Sequence, residues 1–170
     1  MKRIWIFGRP GSGKSVTAEK LSKILNIPCF HLDYYNYDGW NRITVNDFVK
    51  RTSFIYNLDS YILDGNNYMW YPENLPDIDT IIFLDMTSNI CIKNCINRYN
   101  NNSIIGMPDY WTTEKQPYDR FMHFLDCIEK WAVPDKFKDV IKEKTNLKIY
   151  KFYNYEDLDN FIQEIKNDSN

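Results

Sequence analysis

Five short apolar runs alternate with longer stretches of helical period along this chain. The runs Arg3-Ile4-Trp5-Ile6-Phe7, Cys29-Phe30-His31-Leu32, Ser60-Tyr61-Ile62-Leu63, Thr80-Ile81-Ile82-Phe83-Leu84 and Leu147-Lys148-Ile149-Tyr150-Lys151-Phe152 read as strands. Between them the apolar positions change period. Val16, Ala18, Leu21, Ile24 and Leu25 fall at roughly helical spacing. Thr44-Val45-Asn46-Asp47 resembles a capping box, with Asp in place of the usual Glu, and opens a helix through about Asn57. A further helix is predicted from about Ser88 to Tyr99, broken by Asn100-Asn101-Asn102-Ser103. Pro117 suits the first turn of the next helix, whose apolar face carries Phe121, Phe124, Leu125, Ile128 and Trp131. Pro134 kinks or ends it, and Phe137, Val140 and Ile141 continue in a second helical piece. Leu158, Phe161, Ile162 and Ile165 mark a final helix with Asn154 as its cap. Only the stretch Ile104 to Gln116 lacks a clear period.

Strands alternating with helices imply βαβ crossovers, a parallel sheet and helices on both of its faces. In such α/β sheets ligands bind beyond the carboxyl ends of the strands. Four strands here end in something chemically useful. The first runs into Gly8-Arg9-Pro10-Gly11-Ser12-Gly13-Lys14-Ser15, which matches the phosphate-binding loop G-x-x-x-x-G-K-[ST]. Its glycines let backbone N–H groups turn inward onto phosphate oxygens. Lys14 supplies a charge for the outer phosphates, Ser15 offers a hydroxyl to Mg²⁺, and the following helix aims its positive end at the same anion. The remaining three strands end in Asp33, Asp64 and Asp85.

Each carboxylate has a functional and a plain reading. Asp33 sits where it can accept a proton from an acceptor hydroxyl, or serve as a turn residue or cap. The aromatic residues Tyr34, Tyr35, Tyr37 and Trp40 follow it and can wall a pocket, so Tyr35 and Trp40 join Asp33 as candidate substrate residues. Asp64, followed by Gly65-Asn66-Asn67, can hold Mg²⁺ together with Ser15, or form an ordinary Asp-Gly turn; Asp64 and Asn66 also face the acceptor side. Asp85 competes for the metal role. Positive charge at the transferring phosphoryl group can come from Arg9, Arg98 or Arg120, the last two flanking a segment at about 100–117 that is placed to act as a lid. Arg42 and Arg51 lie where they can bind an anionic acceptor. His31 and His123 read as core or rim residues.

Composition narrows the class without changing it. The chain of 170 residues fits one domain, with no internal repeat or linker, and its net charge is −2. No lysine/arginine run forms a basic stripe, which argues against duplex nucleic acid as a partner. No apolar stretch suits a signal peptide or membrane span, so the expected location is the cytoplasm. The four cysteines, Cys29, Cys91, Cys95 and Cys127, read as ordinary core or half-buried thiols.

Gly8 to Ser15, His31-Leu32-Asp33, Gly39-Trp40, Leu63-Asp64-Gly65-Asn66 and Ile82-Phe83-Leu84-Asp85 together resemble the adenylate-kinase-like "DNA topology modulation protein" family, over the span from Met1 to about Arg98. The resemblance implies the nucleoside monophosphate kinase fold, a three-layer P-loop architecture with a five-stranded parallel sheet of order 2-3-1-4-5, and it implies ATP and Mg²⁺. Where that family usually carries several lid arginines, no arginine follows Arg98 until Arg120. This leaves room for a small acceptor other than AMP, or for slow ATP hydrolysis. The leading expectation is therefore an ATP- and Mg²⁺-dependent kinase acting on a small-molecule phosphoryl acceptor. The rival is a nucleotide-binding regulator acting through a protein or nucleic-acid partner. The acceptor and the oligomeric state are not encoded in any motif.

Overall fold

The computed structural model describes residues 1–39, 41–101 and 117–168. Five parallel strands form the central sheet: β1 (Arg3–Gly8), β2 (Cys29–His31), β5 (Tyr61–Asp64), β6 (Thr80–Leu84) and β7 (Lys148–Phe152), in spatial order β2-β5-β1-β6-β7. Counting these five alone, the order is 2-3-1-4-5. A two-residue antiparallel hairpin, β3 (Tyr37–Asp38) and β4 (Asn41–Arg42), stands apart from the sheet. The helices are α1 (Lys14–Leu25), α2 (Leu32–Asn36), α3 (Val45–Thr52), α4 (Asn67–Trp70), α5 (Ser88–Asn101), α6 (Tyr118–Glu129), α7 (Asp135–Glu143) and α8 (Tyr155–Asp168).

Strand alternation divides the core in two. Ile4, Ile6, Ile62, Ile82 and Leu84 face a cluster completed by Ala18 and Leu21 of α1, Cys91 and Cys95 of α5, Phe121 and Ile128 of α6, and Leu158, Ile162 and Ile165 of α8. Trp5, Phe7, Tyr61, Leu63, Ile81 and Phe83 face the other way, against Phe48 of α3, Tyr68 and Met69 of α4, and Phe137 of α7. Successive strand side chains point to opposite faces, so a fully apolar strand needs helices on both sides, and both layers are present. Cys91 and Cys95 are buried core thiols, as their sequence context suggests.

Local capping agrees with the sequence at several ends. Thr44 Oγ1 accepts from the Asp47 backbone N–H at 3.2 Å as an N-cap, and its hydroxyl donates to the Asp47 carboxylate at 2.7 Å, a side-chain bond in place of the box's return bond to the Thr44 N–H. Asn154 Oδ1 accepts from the Asp157 N–H at 2.9 Å and opens α8. Pro134 lies at the α6–α7 break as the residue before Asp135. Two expectations differ in detail. The second strand stops at His31 and Leu32 already begins a helix, so Asp33 occupies the first turn of α2 rather than a strand end. The helix opening at Val45 ends at Thr52 and tightens into a 3₁₀ segment over Ser53–Asn57. The Thr52 hydroxyl, which donates to the Phe48 carbonyl at 2.9 Å, is the local feature at that change of pitch.

Candidate active site

The carboxyl ends of β1, β2 and β5 open into one cavity of about 1070 Å³. Its floor is the loop between β1 and α1. The backbone there takes up left-handed conformations, with φ +84° at Gly11 and +89° at Gly13. A Cβ on Gly11 would overlap the Cys91 carbonyl oxygen and lie 2.7 Å from Cys95 Sγ, so only glycine lets the loop rest on α5. Gly8 is held on both of its polar atoms by one side chain. Its N–H donates to Asn66 Oδ1 at 3.1 Å, and its carbonyl accepts from Asn66 Nδ2 at 2.9 Å. The turn carrying Asn66 is fixed in its own right: Trp5 Nε1 donates to the Gly65 carbonyl at 2.8 Å, with Trp5 wholly buried. Asn94 of α5 donates to the Gly11 carbonyl at 2.9 Å and to the Tyr155 hydroxyl at 2.8 Å. The loop is thus held by hydrogen bonds from two side chains outside it, Asn66 on a turn fixed by Trp5 and Asn94 bonded also to Tyr155.

Lys14 begins α1 and reaches back to the Arg9 carbonyl at 3.2 Å. Burial holds its ammonium below the usual lysine range, against the opposing pull of Asp64 and Asp33. Ser15 lines the cavity one residue further along. Asp64, buried at the end of β5, places Oδ2 2.7 Å from His31 Nδ1, while its Oδ1 is buried with no hydrogen-bond partner among the described residues. A buried carboxylate oxygen without a donor is expensive unless a cation or water completes it. Ser15 lines the same cavity, and its hydroxyl with this oxygen makes a donor set suited to Mg²⁺, which takes few protein oxygens and keeps its waters. His31 Nε2 lies 2.9 Å from Glu19 Oε1 of α1. Burial alone would lower the His31 pKa, but the hydrogen bonds its ring donates to Asp64 and Glu19 outweigh it and raise it.

Asp33 faces the same cavity from α2. Burial and the nearby Asp64 carboxylate raise its pKa above the ordinary range, with Lys14, Arg42 and Arg98 opposing. Asn36, Tyr37, Ile43, Phe48, Asn67, Trp70 and Tyr71 surround this end of the cavity, and Arg42 from the hairpin stands over the Tyr37 ring at 5.8 Å. Arg98, at the last turn of α5, and Arg120, in the first turn of α6, border the phosphate end.

The structure brings Pro10, Gly11, Gly13, Lys14, Ser15, Asp33, Arg42, Asp64, Asn66, Arg98 and Arg120 to one cavity and places several other candidates elsewhere. Arg9 turns away from the phosphate side of the loop. Its Nη1 donates to the carbonyls of Ile128 and Glu129 at the end of α6, and its guanidinium covers Trp131 at 5.4 Å. Arg9 therefore acts as a helix C-cap. Ser12 stays within the loop with its side chain buried. Tyr35 packs toward Phe54, ring centroids 6.0 Å apart, outside the cavity lining. Arg51 is engaged by both carboxylate oxygens of Asp38, at 3.0 and 3.1 Å, on the outer surface. Asp85 pairs with Lys151 at 2.9 Å beside a second, smaller cavity behind the sheet, which separates it from Ser15. Trp40 and most of the expected lid, 102–116, lie outside the described residues. Sequence reading missed Asn94 and Tyr155, which shape the loop, and Asn36, Asn67 and Trp70, which wall the acceptor end. The Asn66-Asn67 pair after a strand-ending Asp-Gly was the one available signal.

No family model matches this sequence, and comparison with curated protein sequences gives no match. Structural comparison does. Shikimate kinase from Bacteroides thetaiotaomicron is similar at TM-score 0.52 and 12% identity, covering 98% of this chain and 97% of that one. The YorR protein of Bacillus subtilis, in complex with phosphorylated GDP, is similar at TM-score 0.54 and 15% identity, covering 95% of this chain and 92% of that one. At such identities the likeness concerns the fold: this is a P-loop kinase-type fold. Among the described residues no helix is long and apolar enough to cross a membrane.

Proposed function

We propose that this protein is an ATP- and Mg²⁺-dependent phosphotransferase of the nucleoside and nucleotide kinase type, acting on a small-molecule acceptor. The observation that carries this reading is the presence, in one cavity, of a pre-shaped phosphate loop and a separate carboxylate, Asp33, among aromatic and amide side chains. A binding module needs the first and has no use for the second. The kinases sharing this fold act on small molecules, in keeping with the nucleotide-kinase resemblance of the topology modulation proteins.

In this reading the loop N–H groups and Lys14 hold the donor phosphates, and Arg98 and Arg120 approach the phosphoryl group from the opposite side. Ser15 and the free oxygen of Asp64 would hold Mg²⁺, which supplies neutralisation of charge on the phosphates. The acceptor rests against Asn36, Tyr37, Asn67 and Trp70. Asp33 orients its hydroxyl and accepts its proton as the new P–O bond forms and the bond to the leaving ADP oxygen breaks. Catalysis is mainly positioning and charge stabilisation. The site of action is the cytoplasm, where the donor is. Duplex nucleic acid is not the expected acceptor, since the sequence has no lysine/arginine run that forms a basic stripe.

The test is ADP release from Mg·ATP across a panel of nucleosides, nucleoside monophosphates and small hydroxylated metabolites. Acceptor-stimulated ADP release is expected. Tight nucleotide binding with no acceptor raising turnover would replace this reading with that of a nucleotide-dependent regulator or slow ATPase.

A further inference from the structure

Cys29 and His31 are two residues apart on β2, so their side chains share one face. That face meets α1. Register confirms the direction: Cys29 pairs with Ile62 and His31 with Asp64, and Ile62 belongs to the core cluster on the α1 side. Glu19 descends from the second turn of α1 onto the same spot. One donor atom from each of Glu19, Cys29 and His31 lies within 4.8 Å of the other two, and Glu19 Oε1 is already 2.9 Å from His31 Nε2.

The second ring nitrogen of His31 supplies an independent observation. His31 Nδ1 lies 2.7 Å from the buried Asp64 carboxylate. Nε2 faces Glu19 on the Cys29 side, so an ion that replaces the Nε2 proton finds that nitrogen beside both other donors while Nδ1 stays on Asp64. Carboxylate, imidazole and metal occur in this order at protein metal centres, where the outer carboxylate fixes the ring's tautomer and orientation. Two carboxylates, Glu19 and Asp64, face this one imidazole, so the cluster carries excess negative charge. The His31 side chain is 13% exposed and that of Glu19 41%, which leaves one edge open to solvent.

We propose that Glu19, Cys29 and His31 form a binding site for one borderline-soft divalent transition-metal ion, Zn²⁺ before others, with Asp64 as the outer partner of His31 and water in the fourth position. The mixed oxygen, nitrogen and sulfur donors suit zinc and discriminate against Mg²⁺, which prefers oxygen alone. Binding releases two protons to solvent, one from the Cys29 thiol and one from His31 Nε2, as the sulfur–metal and nitrogen–metal bonds form. The ion ties the helix that follows the phosphate loop to the second strand. This site stands whether or not the phosphotransfer reading holds. A competing pair exists on α6, where Cys127 Sγ lies 3.8 Å from His123 Nε2, but no third donor joins it among the described residues.

The experiment uses the full chain, reduced and stripped with chelator, titrated with Co²⁺ and back-titrated with Zn²⁺. The expected result is one ion per chain, a thiolate-to-cobalt charge-transfer band with tetrahedral visible bands, and displacement by Zn²⁺ but not by about a thousandfold excess of Mg²⁺. Cys29→Ser should remove the charge-transfer band, and Cys127→Ser should leave it intact. Glu19→Gln, on the solvent side of the cluster, should weaken binding by about tenfold or more with the circular dichroism spectrum unchanged, which decides the matter even if Cys29→Ser fails to fold. Absence of a thiolate band, its survival in Cys29→Ser, its loss in Cys127→Ser, unchanged affinity in Glu19→Gln, or displacement by Mg²⁺ would each overturn the proposal.

Discussion

On the proposed reading, the donor end of the cavity is built on one main-chain loop, and the acceptor end on side chains from separate elements. The donor end is one contiguous loop, Gly8 to Ser15, held by Asn66 on Gly8 and Asn94 on Gly11. The acceptor end gathers Asp33 and Asn36 from α2, Arg42 from a hairpin, Phe48 from α3, and Asn67 and Trp70 from α4. Backbone N–H groups recognise any phosphate. Side chains drawn from four segments recognise one shape. On the proposed reading the difference teaches where generality and selectivity reside: the loop serves any phosphoryl donor, and the opposite wall is particular to this chain.

The comparison breaks most readily at Lys14. Lys14→Ala should lower the turnover number by at least about 10²–10³-fold, the scale of losing one preorganised charge at the transition state, with the melting temperature nearly unchanged. Full turnover in that variant would remove the loop from the chemistry. Next comes Asp33→Asn, expected to cut acceptor turnover by about 10²-fold while leaving the ATP dissociation constant alone. An equal loss in ATP affinity would show that the two ends are not separate. Arg42→Ala should raise the acceptor KM about tenfold, the loss of one charged hydrogen bond, whereas Arg51→Ala, already paired with Asp38 outside the cavity, should change it by less than about twofold. The reverse order would redraw the acceptor wall.

The smallest effect is on stability. The Asp33 pKa is raised in the folded state, so the folded chain holds its proton to higher pH than the unfolded chain does. Stability therefore falls as pH rises from the ordinary carboxylate pKa through the raised one, because ionisation is less favourable in the fold. Asp33→Asn should melt higher than the parent at neutral pH, and the gap should close in acid. A gap that widens in acid would mean the carboxylate is stabilised by its cationic neighbours instead. For activity the same shift moves the acid limb of the kcat/KM profile upward in pH.

Much of the fold was legible because its signals are local. Short apolar runs located five strands, four of them leading into the phosphate loop or an aspartate, and the Thr44 and Asn154 caps located two helix starts. The phosphate loop was legible because glycine spacing is itself the chemistry. The fate of Arg9 was not legible: its direction depends on the end of α6, more than a hundred residues away in sequence. Tyr35 and Arg51 were misplaced for a similar reason. A short helix at Leu32–Asn36 turns Tyr35 toward Phe54, and the hairpin brings Asp38 within reach of Arg51. The Glu19–His31–Asp64 line was hidden as well, since helix, strand and neighbouring strand meet only through the parallel register.

The two hydrogen bonds between Asn66 and Gly8 carry one more consequence. A loop that must order itself around its ligand loses freedom at the moment of capture, and that loss is subtracted from affinity. Here the first glycine has given up its freedom during folding, to a turn anchored on a buried tryptophan. An arriving phosphate meets a mould already set, so encounters need not wait on loop motion, and loosening the turn at Trp5 would slow capture without touching a single phosphate contact.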